Sequence, residues 1–267
     1  MWRGSWDVRR FEQIDSTNAY LLRQARAGAP EGTVAVAEHQ SAGRGRMDRK
    51  WESPPGASLL ASVLFRPEFD LAELHLCTAA MALAAVEACR LVAGVGPVLK
   101  WPNDVLVGER KLAGVLAEVA FDGGGAGAGG AGGGGGGGAG GGSAGGSPTV
   151  VVGIGLNCDW PGPEGSGGTS LLELCADPVD RPALLGALLA ALSTRRALLD
   201  DAAGRRQVAA ELRSRCATLG QRVRIELAGE AVVGTATDID DSGHLVVMTA
   251  AGPLKVTAGD VVHLRPG

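Results

Sequence analysis

The chain has 267 residues, enough for one large domain with a small one, or for two of moderate size. Hydrophobic residues make up 45% and aromatics only 4%, so a sizeable core is available and Ala, Leu and Val must fill it. A net charge of −4 argues against non-specific nucleic-acid binding, which needs a basic surface.

In chain order, Phe11–Asp15 reads as a short strand. Asp15-Ser16-Thr17-Asn18 offers N-cap residues to a helix over Ala19–Arg26, which Gly28 and Pro30 end. Polar groups at a helix start also suit a ligand, so capping and binding both stand at this point. Thr33–Glu38 alternates toward a strand, with Gln40 at its end. The loop Gly43-Arg44-Gly45-Arg46-Met47-Asp48-Arg49-Lys50-Trp51 follows, with four cations and two glycines in nine residues. Its glycines let backbone approach a ligand closely, and its guanidinium forks match phosphate or carboxylate oxygens. Trp51 adds a flat apolar surface. An anionic ligand with a ring fits this loop; a solvated basic loop anchored by tryptophan is the alternative. Ser58–Phe65 is a second strand, so the loop is flanked by strands, as a site on a rigid sheet would be.

Leu71–Val92 has helical periodicity and is closed by Gly94 and Gly96. Leu99-Lys100-Trp101-Pro102-Asn103-Asp104 leads into Val105–Val107, a turn at Gly108–Arg110 and a strand over Lys111–Val119, a hairpin with Lys111 at the turn edge. Ala113 and Gly114 leave space for a ligand beside Lys111; the alternative is a solvated lysine with Gly114 at a bulge. Residues 123–146 hold 18 of the 43 glycines and are expected to be disordered, joining neighbouring strands at Leu112–Phe121 and Thr149–Leu156. In Val150–Asn157, Gly155 would let a ligand lie against the strand and Asn157 would bond it, although a lone Gly-x-Gly is weak and no third glycine follows. A Pro/Gly-rich loop over Asp159–Thr169, a helical turn at Thr169–Leu172 and amphipathic helices over Arg181–Leu199 and Arg205–Leu219 come next. From Gly220, five short strands suggest an SH3-like barrel with four basic and six acidic residues.

Of 25 Lys plus Arg, only Lys50, Lys100, Lys111 and Lys255 are lysines, and three of these fall in the motifs above. Cys77, Cys89, Cys158, Cys175 and Cys216 form no CxxC pair and read as reduced, buried cysteines of a cytoplasmic protein. His39, His75, His244 and His263 lack metal-ligand spacing. Met1–Arg10 has no apolar signal core, and no run of about 18 apolar residues is seen, so no membrane span is expected.

Five motifs then fall into one order. Asp15-Ser16-Thr17-Asn18, Glu38-His39-Gln40 leading into Gly43-Arg44-Gly45-Arg46, Lys100-Trp101-Pro102-Asn103-Asp104, Lys111-Leu112-Ala113-Gly114 and Gly153-Ile154-Gly155-Leu156-Asn157 together resemble the biotin protein ligases across nearly the whole chain. The resemblance implies an α+β fold. Residues 1–219 would form a catalytic domain with a mixed sheet and helices, similar to class II aminoacyl-tRNA synthetases, with 123–146 a disordered Gly-rich insertion. Residues 220–267 would form the SH3-like β-barrel. Asp15 lies so near the start that no winged-helix repressor domain, and hence no DNA partner, is expected. Monomer and homodimer both remain open.

The implied activity is that of an ATP-dependent ligase. It would activate biotin as biotinyl-5′-AMP and transfer it to a lysine of a biotin carboxyl carrier protein domain of biotin-dependent carboxylases. ATP, biotin and Mg2+ are the implied ligands, the Mg2+ arriving with ATP and not on fixed protein ligands. Carried over residue by residue, catalysis falls to Lys111 and Arg46. Biotin contacts fall to Ser16, Thr17, Asn18, Gln40, Arg44, Gly45, Arg46, Lys111, Gly114 and Gly155. Nucleotide contacts fall to Arg46, Arg49, Trp51, Asn103, Asp104, Lys111 and Asn157. Both reactants of the first step are anions, so positioning and charge neutralisation are the main tasks. The Gly-Arg loop is expected to close over the labile mixed anhydride. Two departures stand out: the family loop usually has glycine where Asp48 stands, and the glycine tract replaces a short turn. A lipoate or octanoate ligase would share the fold but need an apolar tunnel, and Ser16, Thr17 and Gln40 suit a ureido ring better. A non-catalytic interaction module is opposed by the intact Lys111 and arginine pair.

Overall fold

The computed structural model describes residues 4–47, 49–121, 148–175, 177–227, 230–257 and 259–264. Strands β1 (Asp7–Ile14) and β2 (Thr33–Gln40) run parallel, and helix α1 (Thr17–Arg26) supplies the crossover that a parallel pair requires. Strands β3 (Ser58–Phe65), β4 (Val98–Lys100), β5 (Asp104–Val107), β6 (Arg110–Phe121) and β7 (Pro148–Asn157) extend it by antiparallel pairing. The result is a seven-stranded mixed sheet of order β1-β2-β3-β7-β6-β5-β4. Strands β6 and β7 pair from Ala113↔Leu156 to Phe121↔Pro148, so the two segments flanking the glycine tract are direct neighbours. The tract itself, with its expected disorder, lies outside the described residues. The bulge in the β5–β6 hairpin falls between the Ala113 and Lys111 pairings, at Leu112 and not at Gly114.

Every residue of β3 is buried, which explains its unbroken apolar run. Leu59, Ala61, Val63 and Phe65 point into a large core, and Leu64 points the other way, toward Leu21 and Ala25 of α1. Helices α2 (His75–Ala93), α4 (Arg181–Leu198) and α5 (Ala202–Arg215) contribute to the large core, and α3 (Leu171–Leu174) is a single turn. Helix α2 starts later than the periodicity predicts, because Leu71–Glu73 forms a separate 3-10 turn capped by Asp70. It ends at Gly94, whose φ of +67° is the left-handed cap glycine allows. By length and composition alone Leu71–Ala93 would be long and apolar enough to cross a membrane, though Glu87 and Arg90 interrupt it; thirteen of the 19 residues of α2 are buried, which accounts for that composition. Helix α5 runs earlier than predicted: Asp201 caps it, and the chain leaves the helix at Cys216 to bridge Leu99.

Strands β8 (Arg222–Leu227), β9 (Glu230–Ile239), β10 (Leu245–Thr249), β11 (Gly252–Val256) and β12 (Asp260–His263) form the SH3-like antiparallel unit, in the order β11-β10-β9-β8-β12. Its inward residues include Val223, Ile225, Ala236, Leu245, Val247 and Val261, all buried. This unit grips the β4–β5 end of the large sheet. The Trp101 backbone N–H donates to Thr218 Oγ1 and its indole Nε1 to the Gly243 carbonyl, each at 3.0 Å. His75 of α2 lies against His244 with ring centroids 4.3 Å apart. The turn leading into Asn103 and Asp104 is thus anchored through Trp101.

Candidate active site

The site lies on the α1 face of the large sheet, where strand register sets out rows of side chains. Leu60, Gly155 and Gly114 lie side by side on β3, β7 and β6; Ser62, Gly153 and Leu116 form the next row, and Leu64, Val151 and Glu118 the one after. Alternate residues share a face, so neighbouring rows are about 7 Å apart.

The start of α1 covers the middle row. Gly153 has no side chain because Asn18 takes the space: a Cβ there would fall 2.2 Å from Asn18 Oδ1. Ser62 Oγ lies 2.7 Å from Thr17 Oγ1 and 2.6 Å from Asn18 Oδ1. The Thr17 backbone N–H and hydroxyl donate to Gln40 Oε1 at 2.7 and 3.0 Å. A backbone N–H only donates, so this contact fixes the Gln40 amide with its oxygen inward and its NH2 free to face a ligand. Asn18 Nδ2 donates to the Leu116 carbonyl at 3.2 Å and to Glu118 Oε2 at 2.9 Å. Ser16 accepts the Ala19 N–H as helix cap and keeps its own hydrogen to give. Asp15 braces the turn through Arg23 at 2.8 Å, and that guanidinium holds its carboxyl below the usual carboxylate range.

Trp51 covers the Gly155–Gly114 row. A Cβ at Gly155 would lie 2.3 Å from Trp51 Cε2, and one at Gly114 would lie 3.1 Å from both Trp51 Cζ3 and Lys111 Nζ. The space that the sequence reading gave to a ligand at Gly155 is filled by the indole. Its buried Nε1–H has no acceptor among the described residues. Lys111 Nζ stands 5.6 Å from the ring centroid and pairs with Asp104 Oδ1 at 2.7 Å.

The Gly-Arg loop is a narrow hairpin. Arg44 bridges Lys50, Gly45 N donates to the Arg49 carbonyl at 2.6 Å, and Trp51 N donates to the Gly43 carbonyl at 3.1 Å. Any Cβ at Gly43 would strike the Trp51 carbonyl at 2.3 Å, so the closeness of the strands demands glycine there. Arg44 forks onto Glu118, with Nη1–Oε1 and Nη2–Oε2 both 3.1 Å. Arg46 donates to Asn103 Oδ1 at 3.1 Å and to the Gly259 carbonyl of the SH3-like unit at 2.7 Å. Arg49 gives its backbone to this hairpin, and Asp48 lies outside the described residues. Asn157 Nδ2 donates to the Thr169 and Pro161 carbonyls at 2.9 and 3.2 Å and braces the loop whose Gly167 and Thr169 pair with the Lys111 backbone.

Glu118, Ser62 and the Gly259 carbonyl join the site without having been singled out in the sequence. Glu118 carried a signal, as the only charge between Lys111 and Phe121 in an otherwise apolar strand. Ser62 and Gly259 carried none. The result is a two-ended site. Thr17 and Asn18, with Gln40 bonded to Thr17, cover the Ser62–Gly153 row; Trp51 and Lys111 Nζ cover the Gly155–Gly114 row, about 7 Å along the strands. It suits an elongated ligand with an uncharged polar head and an anionic tail.

Comparison with known proteins meets this geometry. The Biotin/lipoate A/B protein ligase family profile matches residues 10–129, and the Biotin protein ligase C terminal domain profile matches residues 218–264. A biotin–[acetyl-CoA-carboxylase] ligase of Mycobacterium tuberculosis is 38% identical over 260 residues, covering 95% of this chain and 87% of that protein. One from Paracoccus denitrificans is 30% identical over 257 residues, covering 93% and 97%. The solved structure of a biotin protein ligase from Aquifex aeolicus in complex with biotin and ATP superposes with a TM-score of 0.75 at 25% identity, covering 97% of this chain and 99% of that one. With catalytic and C-terminal profiles matched in order, and relatives aligned over nearly the full length, the chain belongs to the biotin protein ligase family.

Proposed function

We propose that the chain activates biotin with ATP as biotinyl-5′-AMP and transfers the biotinyl group to a lysine of a biotin carboxyl carrier protein domain. The observation that supports this most is the placing of the two ends: the turn of Thr17 and Asn18, with Gln40 bonded to Thr17, covers the Ser62–Gly153 row, and Lys111 Nζ stands over Gly114 in the next row. Biotin has the matching asymmetry, a neutral ureido ring and a carboxylate tail. The Gln40 NH2 and the Ser16 hydroxyl donate to the ureido oxygen. In the first step a carboxylate oxygen of biotin attacks the α-phosphorus of ATP, the bond to the β-phosphate oxygen breaks, and diphosphate leaves. Lys111, directed by Asp104 in the free enzyme, turns its point charge onto the carboxylate and phosphate oxygens as they meet. Arg46 adds a second cation, oriented by Asn103. Trp51 offers its face to the adenine and its unpartnered N–H to an acceptor on the ligand. In the second step the neutral amine of the carrier lysine attacks the mixed-anhydride carbonyl, AMP leaves, and the amine gives up a proton. Mg2+ would arrive with ATP, on its phosphates.

The test is isotope exchange between ATP and diphosphate in the presence of biotin, lipoate or octanoate. Exchange with biotin alone supports the reading. Exchange that prefers lipoate or octanoate, or that needs no acid, overturns it.

A further inference from the structure

Glu118 holds an unusual place in this site. It stands on β6 within an apolar strand, its side chain only 15% exposed. Burying a carboxylate is unfavourable unless it is paired and hydrogen-bonded, and here both conditions are met by residues of the site. The guanidinium of Arg44 forks onto it, and Asn18 Nδ2 donates to the oxygen that Arg44 Nη2 also reaches. From Asn18 the chain of polar contacts runs on through Ser62 and Thr17 to Gln40. One carboxylate therefore ties the loop arginine to the cradle.

Charge gives this arrangement its meaning. An exposed, uncompensated arginine beside the ureido end would attract an anion. It would draw the carboxylate tail of biotin, or a phosphate, toward the wrong end of the site. A guanidinium neutralised by a bidentate carboxylate keeps its remaining N–H donors and loses that pull. We propose that Glu118 is a positioning residue for biotin: by pairing with Arg44 it converts that cation into a neutral-ligand hydrogen-bonding group and so fixes which end of biotin enters the cradle. This rests on the reading that Arg44 faces the biotin ring. Glu118 acts through Arg44 and touches no reacting atom.

The test combines Glu118→Gln, Arg44→Met and the double variant, measuring biotin affinity by calorimetry without ATP, kinetics of biotin-dependent exchange, and melting temperature. Glu118→Gln is nearly isosteric and keeps an acceptor for Asn18, so it should fold. It is expected to raise the biotin KM about tenfold with kcat within about twofold, the pattern of lost ground-state binding. It should also make biotin binding sensitive to sulfate, which competes for the uncovered Arg44; wild-type binding should stay insensitive. In the Arg44→Met background Glu118→Gln should change the biotin KM less than twofold, because the two act as one unit. Arg44→Met with wild-type biotin affinity overturns both the placement of Arg44 and this inference. Arg44→Met with weakened affinity, but Glu118→Gln with unchanged KM and no sulfate sensitivity, leaves Arg44 in place and overturns Glu118 alone. A lower melting temperature for Glu118→Gln without those kinetic changes does the same.

Discussion

Gly155→Ala tests the packing of the site most sharply. The new Cβ would stand 2.3 Å from Trp51 Cε2, 2.4 Å from Nε1 and 2.7 Å from Cζ2. Ordinary carbon contacts are about 3.5–4.0 Å, so the indole must retreat by more than about 1 Å. The strand cannot give way, because Gly155 is paired with Leu60 on one side and Gly114 on the other. Trp51 belongs to the Gly-Arg loop, so the loop moves instead. Overpacking of this kind costs about 1–3 kcal/mol. Most of it is expected in loop position and little in global stability, so the melting temperature should fall by no more than about 4 °C. Exchange activity should fall about 10- to 100-fold, the same free energy read as a rate. The assay is biotin-dependent ATP–diphosphate exchange with tryptophan emission recorded alongside. The decisive comparison is Gly155→Ala with Trp51→Ala present. If Gly155 exists to seat the indole, the double variant is no worse than Trp51→Ala. A further tenfold loss in the double variant, or wild-type exchange and emission in Gly155→Ala, would refute this reasoning.

Three more outcomes follow from the structure. Lys111→Ala should lower exchange by about 10²–10³ through loss of charge at the reacting oxygens. Its melting temperature should hardly move, because the half-exposed Lys111–Asp104 pair contributes only about 0–1 kcal/mol; near-normal exchange by this variant would remove Lys111 from the chemistry. Replacing residues 123–146 with a short Gly-Ser turn should leave activity within a few-fold, since Phe121 and Pro148 already pair across the join, and a large loss in a folded variant would contradict this. Stability should fall with acidification. Burial, and then the facing His244, lower the His75 pKa to about 4, while Asp240 and the Gly243 and Ser242 backbone oppose the shift. Between pH 6.5 and about 4 the unfolded chain binds a proton that the folded chain refuses, so up to roughly 3 kcal/mol present above pH 6.5 is lost as pH falls through that window. Asp240 works in the same direction: burial raises its pKa, but Lys255 and the His244 N–H outweigh that and hold its carboxyl low, so its stabilisation also fades in acid. Urea unfolding across this range should show the slope, and His75→Gln should flatten it; an unchanged slope would show that the group is elsewhere.

Much of this could be read in the sequence, for physical reasons that differ by element. Glycines and N-cap residues mark boundaries locally, so the start of α1 and the end of α2 were legible. The buried run of β3 was legible because both faces are covered. The start of α5 was not, since a capping Asp201 competes with periodicity that runs on past Arg215. Within the site, the motifs fixed which segments converge, but not what fills the space between them. Gly155 looked like room for a ligand because a missing side chain does not say whose atom replaces it; here it is the indole of Trp51. Asn157 looked like a ligand donor, and a single sequence could not show that its Nδ2 donates to two carbonyls of the following loop. Glu118 and Ser62 entered through cross-strand register, which a single strand does not reveal.

The most direct measurement is the mass of a carrier domain after incubation with the protein, ATP, Mg2+ and biotin. The carrier should gain one biotinyl group on a single lysine, only when ATP and biotin are both present, and Lys111→Ala should not produce it in the same time. An unmodified carrier, with biotinyl-5′-AMP also absent from the reaction mixture, would contradict the proposed activity.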